Sequence, residues 1–85
     1  MKLSSFLSEA MSYGWEIEKF ELLGKEIVAN LVHEDFVMSF KTNNFTENTK
    51  ITVELNDEVV VSIPAKYLVF SVYSIEINFE PEEGF

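Results

Sequence analysis

A histidine lies beside carboxylates only once in this chain, at His33-Glu34-Asp35. Such residues can ligate a metal, or act as a general base with its orienting acid. But neighbours in a strand point to opposite faces, so His33 and Glu34 diverge unless a turn intervenes. The triplet is therefore expected to be a partly exposed strand end. Serines are plentiful (Ser4, Ser5, Ser8, Ser12, Ser39, Ser62, Ser71 and Ser74), yet one His must serve them all and nothing marks which. Carboxylate pairs are numerous, but a glycosidase-like pair needs a cleft, and 85 residues leave little material for one. The chain has no Cys, no Arg and no glycine-rich phosphate loop. The expectation is a protein that is not an enzyme and that uses no cofactor and no metal.

Charge is the stronger signal. Fifteen acids face six lysines, for a net charge of −9. Phosphate backbones and anionic membranes require clustered Lys or Arg, so binding to nucleic acid or membrane is not expected. Attraction to a basic partner is. Glu16 and Glu18 are expected on one outward strand face, with Glu21 or Glu26 extending the patch across a hairpin. Glu76, Glu80, Glu82 and Glu83 form a second cluster with no Lys among them. Like charges held together oppose folding unless screened or met by a partner. Trp15, next to the first cluster, is the natural aromatic anchor if it is exposed, and Tyr13, Tyr67 and Tyr73 are further anchors of the same kind.

These residues suggest a small acidic, non-enzymatic binding protein. It would be an inhibitor or regulator engaging a basic surface of a protein partner, in the manner of a nucleic-acid mimic. In size, acidity and lack of catalytic equipment the chain is similar to the small inhibitors that phages aim at nucleases and other host enzymes. That similarity is one of composition and rests on no motif. The alternative is a structural or assembly protein, a homo-oligomer that self-associates through sheet edges or aromatic faces. Twelve aromatics in so short a chain favour it. A small-ligand carrier ranks last. Salt separates the first two, because charge-driven capture weakens with ionic strength and apolar association does not.

The elements that must position these residues follow from periodicity. Leu3, Phe6, Leu7, Ala10 and Met11 repeat at the spacing of one helical face. A helix is expected over about 5–13, capped by Ser4 or Ser5 and ended by Gly14 in a left-handed conformation. Trp15 to Glu18 alternates, and the phase slips at Lys19-Phe20, which a bulge would explain. Continuation of the helix through Leu23 is the rival reading. Gly24-Lys25 is a hairpin turn into a strand over 26–33, with Ile27, Ala29 and Leu31 on one face. Glu34-Asp35 breaks to a strand from Phe36 to Lys41, and 42–49 is the clearest loop. Two more strands follow, around a turn at Asn56-Asp57-Glu58. Ile51, Val53 and Leu55 line the first inward, and Val59, Val61 and Ile63 the second. Pro64 ends the second by removing a ladder donor. The segment 67–79 switches phase near Val72-Tyr73, so it holds a bulge, a corner or two strands. Apolar on both phases, it is expected at the centre of a sheet or covered on both faces.

The expected fold is α+β: one short N-terminal helix on a curved, mainly antiparallel sheet of about six strands, equally consistent with a half-open barrel. It is expected as one domain over 1–80 with a frayed acidic tail over 81–85. No apolar run approaches the ~18 residues of a membrane span, and the N-terminus does not resemble an export signal, so a cytoplasmic location is expected. For the same reason the sequon Asn44-Phe45-Thr46 is not read as a glycosylation site.

Overall fold

The computed structural model describes residues 1–70 and 75–77, without the side chains of Val69 and 75–77. Helix α1 (Leu3–Ser12) precedes five strands: β1 (Glu16–Leu23), β2 (Glu26–His33), β3 (Phe36–Thr42), β4 (Lys50–Leu55) and β5 (Glu58–Pro64). They form one antiparallel sheet in chain order, β1-β2-β3-β4-β5, which is not closed into a barrel. A 3₁₀ turn (Ala65–Tyr67) leads to β6 (Leu68–Phe70), which pairs with β7 (Ile75–Ile77) as a separate two-stranded sheet. The fold is thus α+β, with the helix on an open, curved sheet. The phase switch expected near Val72-Tyr73 lies outside the described residues. Among the described residues, the strands on either side of it pair only with each other, so the segment is not at the centre of the five-stranded sheet as expected.

The helix begins two residues earlier than the serines suggest. Lys2 is its N-cap, without a side-chain cap, and the first bond runs from the Phe6 N–H to the Lys2 carbonyl at 3.0 Å. Its end is well determined. Gly14 has φ +97, its N–H donates to the Met11 carbonyl, and the Trp15 N–H donates to the Ala10 carbonyl, both at 3.1 Å. This is a Schellman closure, which satisfies two carbonyls that the helix would otherwise leave free. It also fixes the direction in which the chain enters β1, so the strand reading of 16–23 holds.

The core lies on one face of the sheet. Ala29 and Leu31 of β2, Met38 and Phe40 of β3, and Ile51 and Val53 of β4 are buried there beneath Phe6 and Ala10 of the helix. Phe6 is the hub, with ring centroids 6.1 Å from Phe40, 5.1 Å from Phe45 and 5.4 Å from Phe70. Two expectations about this core are corrected. Met11 is 53% exposed, because the helix's apolar arc is wider than the surface beneath it. Val59 does not share the inner face with Val61 and Ile63. Val53 pairs with Val61 but Glu54 pairs with Val59, so Val60 is an extra residue that flips the phase of β5.

The polar segment before β4 is an ordered plug. Phe45 is buried in the core, and the backbone around it is tied by its own side chains. The Thr46 N–H donates to Thr49 Oγ1 at 2.9 Å and the Asn48 N–H to Thr46 Oγ1 at 3.1 Å. The Ala65 and Lys66 N–H groups donate to the Thr49 and Glu47 carbonyls at 2.8 and 2.9 Å, holding the 3₁₀ turn against this loop.

Candidate functional site

The sheet's first strand is its least covered. Every residue of β1 is exposed, on both faces. Directly opposed residues in an antiparallel pair share a face. Ile17, Phe20 and Leu22 oppose Leu31, Ala29 and Ile27, so they belong to the core-facing side. The helix packs on the sheet through Phe6 on Phe40, and where its end meets the start of β1 it leaves the β1 side chains exposed. The inner row therefore runs out from under its cover. Ile17 and Phe20 are 42% exposed, Leu22 67% and, at the strand end, Leu23 57%. The outer edge of β1 has no strand beside it among the described residues.

Acids fringe this apolar row. Glu16 opposes Val32, Glu21 opposes Val28, and Glu18 is the extra residue where the register slips between Ile17 and Lys19. The slip is the bulge that the phase change implied. Glu16 and Glu18 are exposed. The patch does contain a cation, however: Lys19 Nζ lies 3.8 Å from Glu21 Oε1. Glu26, across the hairpin, is drawn to Lys41 at 3.5 Å. Trp15 is no surface anchor. It is 2% exposed, because its phase matches that of Ile17 while the helix end still covers it. Of the second cluster, Glu76 opposes Val69 in β7, and Glu80, Glu82 and Glu83 lie outside the described residues, as do Tyr73 and the tail over 81–85. Tyr13 and Tyr67 are half-buried. Tyr13 stacks on Phe70 at 6.4 Å, and Lys66 lies over the Tyr67 ring at 5.2 Å.

The triplet 33–35 divides as strand geometry requires. Glu34 and Asp35 form the β2–β3 turn, with Glu34 at φ +55. His33 turns back instead. Its Nδ1–H donates to the Gly14 carbonyl at 3.2 Å, and its ring lies on Trp15 with centroids 5.5 Å apart. The imidazole is engaged in holding the helix end to β2. No group of three or more His, Asp or Glu side chains among the described residues is arranged to hold a metal.

Two other features were not singled out by the sequence. The uncovered face of the sheet has a shallow depression between Asn30, Ser39, Lys41, Lys50 and Thr52. It is open to solvent, and Lys41 is already turned to Glu26. The far edge, β5, exposes Val59 (61%) and Val60, but its ladder is broken by the Val60 bulge and ends at Pro64. Both devices blunt an edge. On β1 the corresponding guards are the Glu18 bulge and the charges, and they leave the apolar row open. No helix among the described residues is long and apolar enough to cross a membrane. No protein-family model, curated protein or solved structure matches the chain.

Proposed function

We propose that this chain is a non-enzymatic protein-binding module whose working surface is the β1 edge. It would act as an inhibitor or regulator by accepting an extended, basic and partly apolar segment of a partner protein beside β1. One observation carries this reading: an edge strand exposed along its whole length, with Ile17, Phe20 and Leu22 on one side and Glu16, Glu18 and Glu21 interleaved. Strand addition supplies main-chain hydrogen bonds, and alternate side chains supply specificity. An alternating lysine–apolar segment meets both patterns, and it relieves the repulsion of a chain at −9. The same charge repels phosphate backbones, and there is no Arg for bidentate contacts, so nucleic acid is not the partner. The C-terminal glutamates, Glu76, Glu80, Glu82 and Glu83, would add to the attraction.

The test is a titration of isotope-labelled protein with an alternating lysine–valine peptide, and with a glutamate–valine control. The lysine peptide is expected to shift amide signals of β1 and β2, and to bind more weakly as salt rises. Reversing Glu16 and Glu18 to Lys should slow its association and flatten that salt dependence, as rim charges do. Binding elsewhere, or binding indifferent to salt and to charge reversal, sinks the reading. A mobility shift of nucleic acid at physiological salt does the same for the choice of partner class.

A further inference from the structure

We infer that, without a partner, the β1 edge pairs with the β1 edge of a second copy, about a two-fold axis at Phe20. This rests on the reading of β1 as the working edge and names a second occupant that a partner must displace. The register follows from the strand itself. Counted past the Glu18 bulge, a two-fold at Phe20 sets Phe20 against Phe20 and Leu22 against Ile17 on the core-facing side. On the other side Lys19 meets the second copy's Glu21, and Glu21 meets its Lys19.

This register opposes unlike charges and apolar pairs through the middle of the strand, and only at its ends does Glu16 meet Leu23; each alternative does worse. A two-fold at Lys19 opposes Lys19 to itself and Glu16 to Glu21. One at Glu21 opposes Glu21 to itself. One at Leu22 sets Lys19 against Lys25 and Phe20 against Gly24 of the turn. One at Ile17 leaves Phe20 and Leu22 beyond the paired strand. Half-step registers bring apolar positions opposite charged ones. Like charges directly opposite destabilise a ladder, and opposite charges or paired apolar side chains stabilise it. The Phe20 register also joins the two uncovered rows, Ile17, Phe20 and Leu22, into one continuous apolar surface. The Lys19–Glu21 contact within one chain, at 3.8 Å with both side chains about half exposed, leaves both free to exchange partners. Only one short strand per copy is involved, so the interface falls at the small end of specific ones and a micromolar affinity is expected. Such a dimer hides the acceptor edge, and a basic segment must open it to bind.

The experiment is sedimentation equilibrium over low-micromolar to near-millimolar protein. A monomer–dimer equilibrium is expected for the parent chain. Lys19→Glu alone, or Glu21→Lys alone, should weaken the dimer by about tenfold or more, since each creates two like-charge pairs. An equimolar mixture of the two variants should recover the parent affinity, because a mixed dimer restores opposite charge at both places. The double swap in one chain should also recover it. Leu22→Ser, at an exposed position, should weaken the dimer without lowering the melting temperature. Adding the lysine–valine peptide should convert dimer to monomer. A chain that stays monomeric throughout yet takes the peptide on β1 overturns the dimer and leaves the proposed function standing. A dimer that neither single variant weakens, or that the mixture fails to restore, overturns the register. A dimer that assembles as inferred but resists the peptide upholds this inference and overturns the basic partner instead.

Discussion

His33 closes over Gly14. The imidazole Nδ1–H donates to the Gly14 carbonyl, and a Cβ on Gly14 would lie 3.1 and 3.2 Å from ring atoms Cε1 and Nδ1. With φ at +97, Gly14 is doubly constrained: by backbone conformation and by the ring above it. Gly14→Ala should cost about 1–2 kcal/mol for the left-handed conformation alone, and more if the imidazole is displaced. Urea unfolding of the variant measures this, and an unchanged midpoint would mean the helix end is held by something else.

Phe6 carries the helix onto the sheet. It is buried among Phe40, Phe45 and Phe70, so Phe6→Ala should cost about 3–5 kcal/mol. A melting temperature that does not fall would show the helix to be peripheral.

Trp15 is buried, and its Nε1–H has no acceptor among the described residues. An unpaired buried donor costs about 1–3 kcal/mol, which Trp15→Phe would recover. That gain offsets much of the lost packing, so Trp15→Phe should stay within about 1 kcal/mol of the parent by offset of these terms. Trp15→Ala should cost about 3–5 kcal/mol. A clear loss on Trp15→Phe alone would mean that the indole N–H has a partner in solution.

Glu34 holds a positive φ, +55, without being glycine. Glu34→Gly removes a steric cost of about 1–2 kcal/mol and adds unfolded-chain entropy, for a net gain of about 0.5 kcal/mol. Calorimetry should show a slightly higher melting temperature. A clear fall would mean that the Glu34 side chain makes a stabilising contact.

Local patterns were legible where one residue decides the geometry. Gly14 marked the helix end and Gly24 the first hairpin, with positive φ at both. Ile27, Ala29 and Leu31 marked the inner face of β2, and the slip after Glu18 marked a bulge. Periodicity reports which residues want cover, but not how far the cover extends. Met11 therefore looked like core and is exposed, and the exposure of Ile17, Phe20 and Leu22 had no signal in the sequence. The acidic fringe of β1 was visible as Glu16 and Glu18, but its apolar half was not, because it depends on how much of β1 the helix leaves uncovered. Trp15 was an anchor only on condition of exposure, and that condition fails: proximity to charge in the sequence said nothing of its burial. The Val60 bulge had no signal in a run of three valines, since either phase of such a run is apolar. Phe45 was masked by the polar residues around it, which serve to tie the loop and not to solvate it.

The order of strands in the sheet is their order in the chain, and three of the four connections are two-residue turns. This has a kinetic meaning. Each new strand can add to a neighbour already in place, so little of the sheet waits for distant segments to meet. Loop closure is what makes β-rich proteins slow, and here the longest closure between adjacent strands is the segment 43–49. Folding should therefore be fast for a sheet protein, with β1–β2–β3 forming early. Docking of the helix, which brings Phe6 to Phe45 and Phe70 across most of the described chain, should come last.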